Sequence, residues 1–181
     1  MTMPTYPADV LERAAKIRLI GFDVDGTLTD GCLLYGSSDR DAKSFYVQDG
    51  MGLTLLRHAG IELALVTARQ SPVVAARGSE LKIDHVHIGE RSKLACMQRI
   101  AAGMGIGMDE VAFMGDDLPD LATLRGVGLA IVPANAHHWV LPAAHWVTPR
   151  DGGAGAARDA CDLLLHAQGK VEAILAHGEH P

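Results

Sequence analysis

Two aspartates lie two positions apart at the end of an apolar run near the start of the chain. Asp23 and Asp25 follow the segment IRLIGF, and Gly26 and Thr27 come directly after them. Two carboxylates this close at the end of a buried strand repel each other unless a hard cation lies between them, and Mg²⁺ prefers such oxygen ligands. Gly26 permits a tight turn whose backbone N–H groups are free to hold phosphate oxygens. The pattern predicts a magnesium site that binds a phosphoryl group.

The same D-x-D-G pattern also occurs in calcium-binding loops. Such a loop needs a glycine directly after its third ligand. In this chain Thr27 would be that ligand, and it is followed by Leu28. The calcium interpretation therefore fails, and a chance match after a strand is the alternative that this motif leaves open by itself.

Three later segments also place polar side chains after an apolar run or at the start of a helix. ELALVTAR contains Thr67, and RSK supplies Lys93. The segment VAFMGDDLPD ends in three acids, Asp116, Asp117 and Asp120. A helix cap or a solvated charge explains each segment alone. In a parallel sheet, however, residues that follow the carboxyl ends of strands meet in one crevice. Four such segments in this order predict a single site.

The elements that must position these residues alternate along the chain. Strands are predicted at Arg18–Val24, Glu62–Thr67, His85–Ile88, Val111–Met114, Gly128–Val132 and His145–Val147. Helices are predicted at Pro7–Ala15, Gly52–His58, Pro72–Leu81, Arg91–Ala102, Asp120–Leu124, Ala136–Leu141 and Ala154–Ala167. This alternation is typical of an α/β fold, a Rossmann-like parallel sheet with helices on both faces. The 181 residues favour one domain over 1–181.

One segment, Gly31–Val47, interrupts the alternation. Two short apolar or aromatic pieces, Cys32–Tyr35 and Ser44–Val47, flank the polar sequence GSSDRDA. This pattern predicts a β-hairpin that projects from the first strand. Because an isolated hairpin is marginally stable in water, we expect it to pack against another surface.

Composition excludes several classes of partner. The formal net charge of −6 argues against nucleic acid. The three cysteines are widely spaced and odd in number, which is typical of reduced thiols. No apolar run is long enough to span a membrane, and the first residues lack the apolar core of a signal peptide. We therefore expect a cytoplasmic protein with no membrane partner.

The order of the motifs resembles the haloacid dehalogenase superfamily of phosphohydrolases. The similarity runs from about Ile17 to Gln168 and rests on D-x-D-G-T, a strand-end Thr, a Lys and G-D-D-x-x-D. Larger members insert a cap domain, and the intervals from Asp25 to Thr67 and from Thr67 to Lys93 leave no room for one. The chain is therefore similar to the capless type, whose open site a neighbouring subunit could cover.

The resemblance implies roles for the acidic residues. Asp23 would be the nucleophile and Asp25 the general acid and base. Asp23, Asp116 and the backbone carbonyl of Asp25 would bind Mg²⁺, with Asp117 and Asp120 in support.

It also implies a set of residues that bind the phosphoryl group or the substrate. Thr67 and Lys93 would hold the phosphoryl oxygens, and Ala68 and Arg69 would lie near the substrate. The family usually has glycine where Ala68 stands. A solvated surface charge is the alternative interpretation of Arg69.

Within the superfamily, the chain is most similar to the 3-deoxy-D-manno-octulosonate 8-phosphate phosphatase family. DVDGTLTDG, AKSFYVQDGMG and the glycine-rich tail and helix at about 152–168, GGAGAARDACDLLL, carry this similarity. It implies a phosphomonoesterase of lipopolysaccharide biosynthesis that acts on a sugar-acid phosphate and forms a homotetramer. A phosphatase for a sialic-acid-type 9-phosphate, a receiver-like signalling domain and an inactive binding subunit are the alternatives.

Overall fold

The sheet is built from six parallel strands. The computed structural model describes residues 5–34 and 42–177. The strands are β1 (Leu19–Phe22), β2 (Glu62–Thr67), β3 (His85–Ile88), β4 (Val111–Met114), β5 (Leu129–Val132) and β6 (Trp146–Val147). Their order is β3-β2-β1-β4-β5-β6, and every neighbouring pair is parallel. The predicted α/β class is confirmed, and β1, which precedes the first aspartates, lies near the centre of the sheet.

Helices follow most of the strands, as a parallel sheet requires. They are α1 (Ala8–Ala14), α2 (Val47–His58), α3 (Pro72–Glu80), α4 (Lys93–Met104), α5 (Leu121–Gly126), α6 (Ala156–Ala167) and α7 (Val171–His177). Short 3₁₀ turns occupy Met108–Glu110, Leu118–Asp120 and Leu141–Ala143. None of the helices in the described ranges is long and apolar enough to cross a membrane.

Each face of the sheet carries its own hydrophobic core. Ile20 and Phe22 of β1 belong to the core beneath α1, α2, α3 and α6. Leu19, on the opposite face of the same strand, belongs to the core beneath α4 and α5. Side chains alternate between the faces of a strand, so a central strand that is apolar throughout fills both layers. The polar residues after the strands are consequently held on a rigid edge.

Helix α2 begins five residues before the predicted start at Gly52. The predicted start at Gly52 left Gly50 outside the helix, and glycine disfavours helix interiors. Both positions lie where neighbouring side chains come very close. A Cβ on Gly50 would lie 2.2 Å from a guanidinium nitrogen of Arg77, and one on Gly52 would lie 2.9 Å from Cδ of Arg158. Tertiary packing therefore outweighs propensity here.

One other helix prediction was wrong, and one helix was missed. The helix predicted at Ala136–Leu141 is a loop that ends in a 3₁₀ turn. There the backbone N–H of His137 donates to the carbonyl of Asp116, and Pro142 prevents the helix from continuing. Helix α7 was not predicted.

Residues 35–41 of the predicted hairpin, which include most of its polar sequence GSSDRDA, lie outside the described residues. The described residues on either side, 31–34 and 42–46, are not in strands, and Val47 begins α2 instead of ending a second hairpin strand.

Candidate active site

Three carboxylates converge beyond the carboxyl ends of β1 and β4. Oxygen atoms of Asp23, Asp116 and Asp120 all lie within 4.8 Å of one another. Asp23 and Asp120 are buried, and Asp116 is partly buried. Acids at this separation and burial could share one cation, as the sequence predicted for Asp23 and Asp116.

Backbone contacts between β1 and the β4 loop fix this arrangement. The N–H of Asp23 donates to the carbonyl of Met114 (2.9 Å). Oδ2 of Asp120 accepts hydrogen bonds from the N–H groups of Asp116 (3.0 Å) and Asp117 (3.3 Å). Asp120 therefore shapes the loop that presents Asp116.

Lys93 reaches the cluster from the first residue of α4. Its Nζ donates to Oδ1 of Asp23 (2.6 Å) and to Oδ1 of Asp120 (2.6 Å), and only 3% of its side chain is exposed. This geometry excludes the alternative of a solvated helix charge. Because one ammonium group faces three carboxylates, the cluster keeps an excess of negative charge when all are ionised.

The crowding of these charges shifts the pKa values of the carboxyl groups. Burial, reinforced by the charge of Asp120, raises the pKa of Asp23 to about 7 although Lys93 opposes the shift. Burial and Asp120 likewise raise the pKa of Asp116 to about 6. Burial works to lower the pKa of Lys93, but the charges of Asp23 and Asp120 outweigh it and the pKa is raised. A divalent cation would offset the repulsion, so these residues fit a hard metal ion.

The turn after Asp25 leaves no space beside the cluster for a larger residue. Gly26 has φ +95°, and a Cβ there would lie 2.2 Å from Oδ2 of Asp116. The next residue, Thr27, is fully buried, and its hydroxyl donates to Oδ1 of Asp116 (3.1 Å). Glycine is thus required at position 26 both for its backbone conformation and for its size.

Asp25 is directed to a different set of groups. Nζ of Lys43 pairs with its Oδ1, and Nε of Arg69 lies 3.9 Å from its Oδ2. The Asp25 side chain is 19% exposed. The second aspartate of the motif therefore stands beside the three-carboxylate cluster, between two cations.

The other predicted site residues take different positions. Thr67 is buried at the end of β2, where its hydroxyl accepts from the N–H of Arg69 (3.3 Å), and α3 is capped by Ser71 instead. Ala68 is exposed in the loop between Thr67 and Arg69. Asp117 is also exposed, and its carboxylate accepts from the N–H of Leu118 (2.7 Å).

Sequence reasoning missed Lys43. It follows the polar turn GSSDRDA, where a lysine looks like an ordinary solvated charge. The available signal was its place in AKSFYVQDGMG, a segment already similar to the sugar-acid phosphatases.

The glycine-rich tail contacts the turn that follows Asp25. A Cβ on Gly152 would lie 1.8 Å from the carbonyl oxygen of Gly26. The N–H of Gly153 donates to the carbonyl of Thr27 (3.0 Å). The stretch before α6 therefore packs directly on the turn that follows the two aspartates.

A parallel α/β sheet with three acids beyond the carboxyl ends of its central strands is found in one class of hydrolases. Residues 79–158 match the family model described as haloacid dehalogenase-like hydrolase. The 3-deoxy-D-manno-octulosonate 8-phosphate phosphatase of Yersinia pestis is 40% identical over 164 residues, which cover 91% of this chain and 88% of that protein. The chain therefore belongs to the 3-deoxy-D-manno-octulosonate 8-phosphate phosphatase family of the haloacid dehalogenase-like hydrolases, and the predicted resemblance is confirmed.

Solved structures agree with this assignment. The Moraxella catarrhalis 3-deoxy-D-manno-octulosonate 8-phosphate phosphatase, in complex with magnesium ion, phosphate ion and KDO, has a TM-score of 0.93 and 37% identity, covering 96% of this chain and 100% of that chain. A hypothetical protein from Xanthomonas campestris has a TM-score of 0.94 and 48% identity, covering 98% of this chain and 100% of that one.

Proposed function

We propose that this enzyme hydrolyses 3-deoxy-D-manno-octulosonate 8-phosphate to the free sugar acid and phosphate, as a step in lipopolysaccharide biosynthesis. The observation that carries the proposal is the convergence of Asp23, Asp116 and Asp120 within 4.8 Å in a chain 40% identical to phosphatases of that name. We place the reaction in the cytoplasm, where the sequence led us to expect the protein.

Asp23 is the nucleophile of this proposal. A carboxylate oxygen of Asp23 forms a bond to phosphorus while the bond from phosphorus to the sugar oxygen breaks, which leaves an aspartyl-phosphate. Water then attacks that phosphorus and releases inorganic phosphate, restoring the carboxylate. Lys93, 2.6 Å from Asp23, is placed to stabilise the charge on the transferring group, and the hydroxyl of Thr67 lies at the end of the neighbouring strand.

Asp25 moves the protons. It donates one to the sugar oxygen as that oxygen leaves and takes one from the attacking water in the second step. The loop of Ala68 and Arg69 stands beside it, and Arg69 offers a charge to the carboxylate of a sugar acid. The Arg69 side chain is 51% exposed and its Nε lies 3.9 Å from Oδ2 of Asp25, so the interpretation as a surface charge stays an alternative to the substrate role.

The residues suited to hold Mg²⁺ are Asp23 and Asp116, together with the backbone carbonyl of Asp25 that the family resemblance implies. Asp120 completes the acidic cluster, and Asp117, which caps the adjacent turn, supports the loop. Mg²⁺ held there supplies the positive charge that allows a phosphate dianion to approach a carboxylate.

A panel of phosphorylated sugars tests this function. We expect kcat/KM for 3-deoxy-D-manno-octulosonate 8-phosphate to exceed that for hexose phosphates by about 10²-fold or more, because polar groups built for a sugar acid are left unpaired by other substrates. A sialic-acid-type 9-phosphate belongs in the panel as the alternative substrate. The D23N variant and chelated enzyme serve as controls, and both should be inactive. Preference for a hexose phosphate would refute the substrate, and activity in D23N would refute the nucleophile.

A further inference from the structure

We propose that Lys43 is a positioning residue that fixes the carboxylate of Asp25 for proton transfer. The inference rests on the proposed function, because it assigns to Lys43 the orientation of the group that we take as the general acid and base. Lys43 lies outside the four sequence segments that predicted the site, and it is not one of the three carboxylate residues of the acidic cluster.

The side chain of Lys43 is buried. Only 3% of its side chain is exposed, and its Nζ donates to Oδ1 of Asp25. A lysine is very rarely buried to this extent unless its charge is paired. Among the described residues its charge pairs with the second aspartate of the D-x-D motif, 18 positions earlier in the chain. The ammonium group is therefore held against a carboxylate of the active site.

The two carboxylate oxygens of Asp25 consequently differ in their hydrogen bonds. Oδ1 is occupied by Lys43, whereas Oδ2 is buried and accepts no hydrogen bond from the described residues. The cation nearest to Oδ2 is Nε of Arg69, 3.9 Å away in the loop after β2 that also carries Thr67. With one oxygen fixed, the other faces the loop where substrate would bind. Oδ2 is thus the atom from which a proton passes to the leaving oxygen.

The segment around Lys43 is itself anchored. Phe45 packs against the core beneath α2, and the guanidinium of Arg77 lies 5.5 Å from the centre of its ring. Four residues after Phe45, the buried carboxylate of Asp49 accepts from the N–H of Arg158 (2.7 Å) at the start of α6. These contacts hold the backbone that carries Lys43, so its ammonium group is a fixed point from which Asp25 can be oriented.

A comparison of leaving groups separates this role from a purely structural one. An alkyl phosphate such as the sugar substrate needs a proton on its leaving oxygen, whereas p-nitrophenyl phosphate loses a stable phenolate without one. We expect K43M to slow the single-turnover phosphorylation step by about 10²-fold for the sugar-acid phosphate, since misplacing a catalytic group by about 1 Å costs that much. The same step with p-nitrophenyl phosphate should change less than about threefold. K43R should recover much of the loss.

Matched variants complete the test. Lys16 is exposed, so K16M should leave both rates unchanged. D25N should show the same dependence on leaving group as K43M, and the double variant should be no slower than D25N, because two residues that act through one group are not additive. Thermal unfolding of each variant measures any loss of fold separately.

Equal losses with both substrates in K43M, or additive losses in the double variant, would overturn the positioning role. If D25N itself shows no dependence on the leaving group, the acid role of Asp25 in the proposed mechanism fails, whereas the substrate panel tests the proposed hydrolysis separately. If D25N shows that dependence and K43M does not, only the inference about Lys43 is refuted.

Discussion

At the scale of single residues, the site concentrates more negative charge than its own cations offset. Asp23, Asp116 and Asp120 share a space less than 5 Å across, and Lys93 is the ammonium group that contacts two of them. Burial and mutual repulsion raise the pKa of Asp23 to about 7 and that of Asp116 to about 6. Folding therefore favours the protonated forms of these two carboxyls when no metal is bound, and the site gives up stability in exchange for affinity for a cation.

We predict that D116N stabilises the metal-free protein at pH 8. A carboxyl whose pKa is raised on folding contributes its stability below its unfolded pKa of about 4, and that contribution is lost as pH rises through about 6. Asparagine carries no charge, so at pH 8 the variant should gain about 1 kcal/mol or more, a rise in Tm of about 2–4 °C. Calorimetry of both proteins in chelator at pH 4 and pH 8 measures the difference.

Mg²⁺ should reverse the order of stability at pH 8. It should raise the Tm of the wild type and leave D116N nearly unchanged, because the variant lacks a metal ligand. A variant that is less stable than the wild type in chelator at pH 8, but not at pH 4, would contradict the interpretation of the raised pKa.

At the scale of elements, the strands could be predicted and the contacts between distant loops could not. Each strand is a short apolar run followed by a polar residue, and these signals are local. Thr67, Lys93 and Asp116 were found in this way, because a parallel sheet brings strand ends together. Lys43 was missed because its partner lies across a loop, and the start of α2 was misplaced because the pattern around Gly50 reflects close packing rather than propensity.

The glycine-rich tail packs on the turn that follows Asp23 and Asp25. A Cβ at Gly152 would meet the carbonyl oxygen of Gly26 at 1.8 Å, and a backbone atom cannot move aside as a side chain can. We expect G152A to cost about 1–3 kcal/mol of stability and to lower kcat by displacing the turn after Asp25. Denaturant unfolding and steady-state kinetics report the two effects.

Gly103 provides the matched control. It lies inside α4, and no atom of another element in the described part of the chain stands within 4 Å of the point where a Cβ would lie. G103A should therefore raise stability by about 0.5–1 kcal/mol and leave kcat unchanged. Wild-type kcat in G152A would show that the tail does not hold the turn.

At the scale of the whole molecule, apolar side chains remain exposed around the segment 31–47. Leu34 is 72% exposed and Val47 76% exposed, and Tyr46 stands beside Val47 with 37% exposed. Neighbouring exposed apolar side chains such as Tyr46 and Val47 are candidates for a protein interaction surface. We propose that they contribute to the homotetramer implied by the family resemblance, in which a neighbouring subunit covers the open site.

Val47 is a suitable position to test this assembly. It is the first residue of α2, where an aspartate favours the helix, so V47D should not weaken the isolated subunit. We expect light scattering to give four times the monomer mass for the wild type and a smaller species for V47D. L175D, which alters a residue 70% exposed on α7, should stay tetrameric. A monomeric wild type would contradict the proposed assembly.

The most direct measurement of the central claim is the mass of the enzyme quenched in acid during turnover. We predict that 3-deoxy-D-manno-octulosonate 8-phosphate adds one phosphoryl group to Asp23, located by peptide mass spectrometry, and that the adduct disappears within the time of one turnover once substrate is exhausted. With p-nitrophenyl phosphate, whose leaving group needs no proton, D25N should accumulate the adduct, because the water that hydrolyses it loses its base. A phosphoryl group on another residue, or an adduct on Asp23 that outlasts many turnovers as in a signalling receiver domain, would contradict the account.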